Sequence, residues 1–301
     1  MSLSERSINR ITTLILTYNR RDELKVCLDS VERQDFPAVQ IIVVDNNSTD
    51  GTSTMIREEY DDIDYIGLEE NQGIAARNLG ADRAEGDLIV SLDDDSELPS
   101  PTTLTRIAEK FENNNNLGAA GFRLIDGEGR EDPWFKWDRE GTLKEGYKCP
   151  TFIGCGAAIR PEMFERVGGF WEPYFMHLEE RDFALRILQS GSEVRYFPSV
   201  SIIHHHRSAR REDARFIYYV TRNTFWYIWR NFPLLLAFFK TFVELFKLGA
   251  MAVRKGGFGV YLRGLWDVRL QFGEVWRTRD PADPSYLGWI SGRFEEDIRE
   301  R

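Results

Sequence analysis

Cysteine is scarce in this chain, and the two glycine-rich phosphate-binding patterns are missing. The three cysteines, Cys27, Cys149 and Cys155, show no CxxC spacing, which predicts reduced thiols in a cytosolic compartment. The first predicted strand is followed by TYNRRDEL and not by GxGxxG, and no GxxxxGK[ST] is present. These absences argue against a dinucleotide-binding Rossmann domain and a P-loop. Any bound phosphate would therefore need a metal ion in place of a glycine-rich amide cradle.

An export signal and an overall positive charge are also missing. The first ten residues lack an apolar signal core, so we expect a chain that is not exported. The net charge of −10 argues against general nucleic-acid binding, which needs a basic surface. Residues 207–279 nevertheless hold 14 Lys and Arg against 5 Asp and Glu, a net of +9 that leaves −19 on the rest. This asymmetry predicts an acidic body and a basic region that faces something anionic.

Strands and helices alternate through the N-terminal third of the chain. Apolar, β-branched runs at 11–16, 41–44, 64–67 and 87–92 predict strands, and helical spacing of apolar residues fills the intervals. This alternation predicts an α/β fold with a mostly parallel sheet and crossover helices. In such sheets, ligands bind beyond the carboxyl ends of the strands.

Polar side chains follow three of these strands, at residues 17–19, at Asp45 and at 93–95. Residues 93–95 are three consecutive aspartates, and each raises the cost of ionising its neighbours. A divalent cation would relieve that repulsion, because hard cations take carboxylate oxygens. The alternative is a solvated acidic turn before Pro99. The shared location at predicted carboxyl ends indicates one site.

Four segments in this order, TYNR, VVDNNSTDGT, NQGIAARNLG and LDDD, resemble the inverting family 2 glycosyltransferases of the GT-A fold. The resemblance is to the rhamnosyltransferase-like type of cell-surface polysaccharide or glycolipid synthesis, and it covers roughly residues 10–210. It implies a nucleoside-diphosphate sugar donor of the UDP, dTDP or GDP type and a divalent metal, Mn²⁺ or Mg²⁺. It also implies a glycan or lipid-linked saccharide as the acceptor.

The resemblance assigns the strand-end residues to the donor and its metal. It implies that Asp45 contacts the nucleotide base, although a helix N-cap or turn is an alternative role for this residue. It implies that Asp95 binds the metal, that Asp94 contacts the ribose or the metal, and that Asp93 shares this task. The other expected donor contacts are Thr17, Tyr18, Asn19, Arg21, Asn47, Asn71, Gly73, Arg77, Gly154 and Gly156. For the last two glycines, close backbone approach to a ligand and tight strand packing are alternatives.

The segment FMHLEERDFALR resembles the family's E-D-x-D-[LF]-x-x-R motif, whose second acidic residue is the catalytic base. That position is Glu180, which departs from the usual Asp, and Glu179 is the alternative base. Apolar spacing predicts a helix from Asp182 onward, with Asp182 and Arg186 as an i,i+4 pair. Charge at a helix start is the structural alternative for both glutamates.

Three histidines follow a predicted strand at 200–203. Strand alternation places His204 and His206 on one face and His205 on the other. Some family members complete the metal shell with a histidine at about this distance past the base, which favours His204 and then His206. Imidazole suits a transition-type divalent ion such as Mn²⁺. The alternative is a set of core or diphosphate-facing histidines.

The residues after 214 are basic and aromatic, which predicts a catalytic domain at 1–214 and a helical region at 215–301. Residues 234–253 are strongly apolar, with Lys240, Glu244 and Lys247 in one narrow stripe. The uncharged runs are far shorter than the ~20 residues of a spanning helix. We therefore expect a helix in the membrane interface and a peripheral enzyme on the inner face of the cell membrane. Packing on the catalytic domain or on a homodimer partner is the alternative.

Two other classes of protein remain in view. A sugar-phosphate nucleotidyltransferase has a related α/β layer, but it would need a glycine-rich, basic loop after the first strand, which TYNRRDEL does not supply. A non-catalytic sugar-binding or scaffold protein would not need the complete acidic set. The sequence therefore favours a glycosyltransferase.

Overall fold

The computed structural model describes residues 7–131, 146–205, 213–284 and 286. The chain forms two compact units. The first unit comprises Met1–Glu172 and Phe183–His206, and the second comprises Pro173–Asp182 and Arg207–Arg301. The sequence predicted one boundary, after residue 214. In the structure, residues 173–182 also group with the C-terminal unit, which begins again at Arg207.

Among the described residues of the first unit, nine strands form one sheet. Its strands are β1 (Ile11–Thr17), β2 (Val39–Asp45), β3 (Ile63–Gly67), β4 (Leu88–Asp93), β5 (Ser96–Glu97), β6 (Leu117–Ile125), β7 (Tyr147–Lys148), β8 (Gly156–Ile159) and β9 (Glu193–His204). Their order is β3-β2-β1-β4-β8-β6-β9-β5, and β7 pairs with β9.

The four strands predicted from apolar runs, β1 to β4, pair in parallel. Strand β8 runs antiparallel to both β4 and β6, so the sheet is mixed beyond β4. The parallel register pairs Thr17 with Asp45 and Leu16 with Asp93. Because these pairs stand at the carboxyl ends, the polar residues that follow β1, β2 and β4 lie at one edge of the sheet.

Helices cover this sheet through their apolar faces. They are α1 (Arg21–Glu32), α2 (Thr52–Glu59), α3 (Arg77–Ala81), α4 (Thr103–Glu112) and α5 (Pro161–Val167), and a 3-10 turn at Gly73–Ala76 precedes α3. Helix α4 is typical, because Leu104, Ile107 and Phe111 are buried at helical spacing. Burial of such residues against the sheet is the main source of the unit's stability.

Helix α6 (Glu179–Gln189) begins in the second unit and ends in the first. The second unit continues with α7 (Asp213–Asn231), α8 (Leu234–Arg254), α9 (Phe258–Asp267) and α10 (Phe272–Arg277). Its own apolar core contains Ile217, Phe225, Leu248, Ala252 and Tyr261. Among the described residues, none of the helices combines the length and the apolar content needed to cross a bilayer.

Candidate active site

The ends of β1 and β4 are joined by hydrogen bonds to one carboxylate. The Thr17 hydroxyl donates to Asp94 Oδ2 at 3.0 Å, and the Tyr18 backbone N–H donates to the same oxygen at 3.2 Å. Both contacts follow from the parallel pairing of β1 with β4, which brings the two strand ends together. The structure thus unites three residues that the sequence placed in one site.

Arg20 is a site residue that the sequence reasoning missed, although it is the last letter of the TYNR segment. Its Nη1 lies 3.3 Å from Asp94 Oδ1 and 2.5 Å from Asp95 Oδ2. Burial raises the pKa of Asp94 to about 7, and the charges of Asp95 and Asp93 act in the same direction, while Arg20 opposes them. A cation at this position therefore offsets the repulsion that the three aspartates create.

Asp93 forms an ion pair with Arg77, a buried residue that is 1% exposed. Arg77 donates to Ser91 Oγ at 3.0 Å and to the Leu92 carbonyl at 3.2 Å, and its guanidinium also pairs with Asp93. We expected Arg77 to bind the donor directly. In the structure the guanidinium is buried, and its Nε and Nη2 are directed to strand β4. Contact of Arg77 with the donor stays a prediction.

Asp95 and His204 form the core of a candidate metal site. His204 Nε2 lies 3.2 Å from Asp95 Oδ1. Burial opposes ionisation of Asp95, but the hydrogen bond and charge of His204, together with Arg20, outweigh it and lower the pKa of Asp95. His205 contacts a different carboxylate, with its Nε2 2.7 Å from Glu97 Oε2. His204 and His205 thus have different carboxylate partners, and His206 lies outside the described residues.

A set of donor atoms that includes His204, but not Asp95, fits a divalent cation. One ligand atom each of Asp93, Cys155 and His204 lie within 4.8 Å of one another. Carboxylate, imidazole and thiol together suit a transition-type ion better than Ca²⁺. Cys155 was not predicted as a ligand, because its spacing in the sequence gives no signal and only the folding of β8 against β4 brings it here.

Asp45 at the end of β2 is buried and has partners for both carboxylate oxygens. Its Oδ1 accepts the Ser48 backbone N–H at 2.8 Å, and its Oδ2 accepts the Tyr65 hydroxyl at 2.7 Å. The first contact matches the turn role that was the alternative for this residue. Contact of Asp45 with a nucleotide base stays a prediction.

The loops after β1 and β2 are tied to each other. Asn19 donates its backbone N–H to Ser48 Oγ at 2.8 Å, and its side-chain oxygen accepts the Thr49 N–H at 2.7 Å. Asn19 and Asn47 have φ values of 53° and 70°, a left-handed conformation that Asn tolerates better than most residues. Both asparagines therefore have a conformational reason to be present, and their donor contacts stay predictions.

The segment before α3 is fixed to the end of β2 by Asn46. The Asn46 amide donates to the Gly73 carbonyl at 3.1 Å and accepts the Gln72 N–H at 3.0 Å. Asn71 accepts the Gly73 N–H at 2.9 Å, and Gly73 has a φ of 69° that favours glycine. These contacts set the shape of a loop at the same sheet edge.

Arg21 and the two glycines near β8 have structural partners as well. The Arg21 guanidinium bonds to the exposed Asp22 carboxylate at 2.9 Å. The Gly154 carbonyl accepts the Ser91 hydroxyl at 2.9 Å. A Cβ on Gly156 would lie 2.9 Å from Leu124 Cδ2 and within 3.2 Å of Ile202, so strand packing accounts for this glycine. Ligand approach, which we predicted for Gly156, is not needed to explain it.

The two candidate bases belong to the second unit and stand in the first turn of α6. The helix begins at Glu179 and not at Asp182 as predicted, and Glu179 is 4% exposed. Before it, Phe175, His177 and Leu178 have φ values of 65°, 67° and 75°. Such values are outliers for bulky side chains, and strain of this kind clusters at functional sites.

Asn223 on α7 holds this strained segment. Its Nδ2 donates to the carbonyls of Tyr174, Met176 and His177 at 3.0, 2.7 and 2.8 Å. The neighbouring Arg222 donates to the Tyr174 carbonyl at 2.9 Å. This role could not be inferred from the sequence, because 49 residues separate Asn223 from Tyr174.

Asp182 has partners other than the expected i,i+4 one. It accepts hydrogen bonds from Arg230 and from Asn231 Nδ2, the latter at 2.9 Å. Arg186 donates instead to the carbonyls of Val167 and Gly169. Asp182 and Arg186, which we expected to pair with each other, therefore have separate partners. Those of Asp182 belong to the second unit and those of Arg186 to the first.

Comparison with known proteins adds to this geometry. Residues 12–168 match the family described as "Glycosyl transferase family 2". The GalNAc(5)-diNAcBac-PP-undecaprenol beta-1,3-glucosyltransferase of Campylobacter jejuni is 33% identical over 125 residues, which are 40% of this chain and 40% of that protein. The teichoic acid poly(glycerol phosphate) polymerase of Staphylococcus epidermidis is 33% identical over 115 residues, 36% of this chain and 16% of that protein. The chain thus spans less than half the length of either relative.

Two solved structures share the fold. S. aureus TarS 1-349 in complex with UDP-GlcNAc superposes with a TM-score of 0.62 at 18% identity, over 86% of this chain and 80% of that chain. The mannosyltransferase PcManGT from Pyrobaculum calidifontis, in complex with GDP-Man and Mn²⁺, gives a TM-score of 0.57 at 20% identity, over 95% of this chain and 76% of that chain. The predicted GT-A fold is confirmed by these likenesses.

Proposed function

We propose that this chain, which belongs to glycosyl transferase family 2 and is a glycosyltransferase, is a metal-dependent inverting enzyme. Its donor is a nucleoside-diphosphate sugar of the UDP, dTDP or GDP type, and its acceptor is a hydroxyl of a glycan or lipid-linked saccharide in cell-surface glycan synthesis. The observation that carries the proposal is the joining of Asp94, Asp95 and His204 at one sheet edge.

The residues that would hold the metal are Asp95, His204 and Asp93. Bound to these residues, a divalent cation such as Mn²⁺ or Mg²⁺ would supply Lewis-acid stabilisation of the departing diphosphate. Arg77 and Arg20 support this arrangement, since Arg77 pairs with Asp93 and Arg20 pairs with Asp94 and Asp95. The complex of PcManGT with GDP-Man and Mn²⁺ is in line with such a metal.

Glu180 is the proposed general base. Its carboxylate takes the proton of the acceptor hydroxyl while the acceptor oxygen attacks the anomeric carbon from the face opposite the diphosphate. The bond between the anomeric carbon and the diphosphate oxygen breaks, and the single displacement inverts the configuration. Glu179 is the second candidate. Because Glu179 is buried, we favour Glu180 as the residue that contacts an acceptor.

We place the enzyme at the inner face of the cell membrane as a peripheral protein. The support is the basic charge of residues 207–279 and the role of the Campylobacter jejuni relative, whose name specifies an undecaprenol-linked acceptor. A homodimer is compatible with this location.

The full chain should be tested with a panel of UDP-, dTDP- and GDP-sugars in Mn²⁺ or Mg²⁺, with and without EDTA. We expect metal-dependent release of the nucleoside diphosphate from at least one donor. Asp95→Ala should weaken binding of the nucleoside diphosphate in Mn²⁺ by about 100-fold, since ligand loss costs at least as much as loss of a supporting partner.

The matched control is Asp64→Ala, which removes an aspartate that pairs with Arg83 at the surface of the same unit. It should bind like the wild type. Absence of turnover with every donor and metal would contradict the transferase proposal. Transfer of a nucleoside monophosphate from a nucleoside triphosphate to a sugar phosphate, with release of pyrophosphate, would establish the nucleotidyltransferase alternative.

A further inference from the structure

Helix α8 turns its large apolar side chains outward. Leu235, Phe238, Phe239, Phe242 and Phe246, here called the α8 apolar face, are between 62 and 85% exposed. Their spacing of three and four residues puts them on one side of the helix. An exposed contiguous set of large apolar side chains marks a surface that contacts another body.

The opposite side of α8 is buried and contains two alanines, a leucine and a glutamate. Ala237, Glu244, Leu248 and Ala252 pack inside the second unit. Glu244 is 1% exposed and lies 3.7 Å from Lys247 Nζ. The predicted stripe of Lys240, Glu244 and Lys247 thus includes a buried carboxylate. Helix α8 is inverted relative to a surface helix of a water-soluble domain, whose apolar stripe faces the core.

Aromatic residues of α10 extend this surface. The Trp229 ring lies 4.9 Å from the Phe238 ring and 5.8 Å from the Phe272 ring, measured between centroids. Trp276, one turn beyond Phe272, is also exposed. Phe and Trp in such number suit the boundary between lipid headgroups and acyl chains.

The charge around the α8 apolar face indicates whether a lipid bilayer or a protein binds to it. Residues 234–279 contain eight Lys and Arg and three Asp and Glu. Of the three acids, Glu244 is buried, Asp267 accepts the Tyr218 hydroxyl at 2.9 Å, and Glu274 pairs with Arg277. A second copy would bring the same positive charge to the contact. Anionic lipid headgroups would instead complement it.

We propose that the α8 apolar face inserts into the headgroup and acyl boundary of an anionic lipid bilayer, with α8 parallel to the membrane plane. This inference deepens the proposed membrane location, and its test needs no substrate and no turnover. The basic side chains near the face contact the headgroups, and the buried Glu244 side stays within the protein.

Flotation of the full chain with phosphatidylcholine vesicles, with and without phosphatidylglycerol, tests this surface. The wild type should float with the anionic vesicles, and high salt or pure phosphatidylcholine should reduce binding. The double variant Leu235→Gln/Phe239→Gln should lower the partition coefficient at least about tenfold, because two large side chains no longer enter the apolar layer. Glutamine retains helix propensity, so α8 should stay folded.

The matched control is Val26→Gln/Leu79→Gln, which replaces two exposed apolar side chains of the first unit. It should float like the wild type. Light scattering in the absence of lipid reports the oligomeric state of all three proteins. A wild type that does not float, a double variant that floats equally well, or a dimer that only the α8 variant dissociates would each overturn the proposal.

Discussion

The two acidic clusters of this chain are built in opposite ways. Asp93 ends the regular strand β4, and Asp94 and Asp95 follow it. The basic and hydroxyl side chains that contact these aspartates are Arg77, Arg20, His204 and Thr17. Glu179 and Glu180 follow a segment with three left-handed, non-glycine residues that Asn223 holds through backbone carbonyls. The first cluster is organised by charge and the second by backbone conformation.

This difference matches two chemical tasks. In a site organised by charge, a bound metal ion can replace a basic side chain as the partner of the carboxylates. The carboxylates repel one another, so they need a positive charge nearby in either state. A site organised by backbone conformation fixes one carboxylate in space, and a base must stay within hydrogen-bond reach of its proton. The comparison therefore predicts that the clusters respond differently to substitution.

The largest expected effect is on turnover through the second cluster. Glu180→Gln should lower kcat by about 10²- to 10⁴-fold, because an amide cannot accept the acceptor proton. Donor affinity, measured by calorimetry in Mn²⁺, should be unchanged, since the first cluster is intact.

Glu179→Gln is the matched variant at the adjacent position. It should retain most of the wild-type kcat. Normal turnover in Glu180→Gln together with loss in Glu179→Gln would move the base by one residue and contradict our assignment.

The sequence was most informative where structure is local. The apolar runs located β1 to β4 within two residues, because buried strands of a parallel sheet are continuous β-branched segments. Strand β9 was predicted only at 200–203 but begins at Glu193. The pairing of β9 with β6 changes register between Phe122 and Arg123. Because of this irregularity, only part of the long strand was recognised from the sequence.

The site was predictable only where a motif carried it. The strand-end residues Thr17, Tyr18 and Asp94 meet as expected. Cys155 and Asn223 were missed, because each acts on residues far away in the sequence. The orientation of α8 was also beyond the sequence, since periodicity defines two faces without telling which one is buried.

A smaller effect should follow from removing the Asn223 amide. Asn223→Ala leaves three carbonyls without this donor, and we expect a loss of about 2 kcal/mol in the free energy of unfolding. Among the molecules that stay folded, kcat should fall while the KM for the donor is kept, because the strained segment orients Glu180. Urea denaturation and steady-state kinetics measure the two effects.

Asn113→Ala is the matched control, since this exposed asparagine bonds to one carbonyl of the first unit. It should change stability by less than about 0.5 kcal/mol. A destabilised Asn223→Ala with wild-type kcat would show that the segment supports the fold without orienting the base.

The smallest expected effect concerns the first cluster and pH. Burial raises the pKa of Asp94 to about 7, whereas an unfolded aspartate has a pKa of about 4. The folded state therefore retains a proton that the unfolded state has lost, and stability falls as the pH rises toward and through 7. In EDTA, the wild type should lose about 1 kcal/mol of unfolding free energy from this group between pH 6 and pH 8.

Asp94→Asn carries no titrating proton at this position and should lack that part of the slope. The decisive quantity is the difference in unfolding free energy between the two proteins at each pH, because titration of the other groups cancels. A difference that does not change with pH would mean that Arg20 keeps Asp94 ionised throughout. The first cluster would then hold a fixed ion pair, and its contrast with the second cluster would rest on geometry alone.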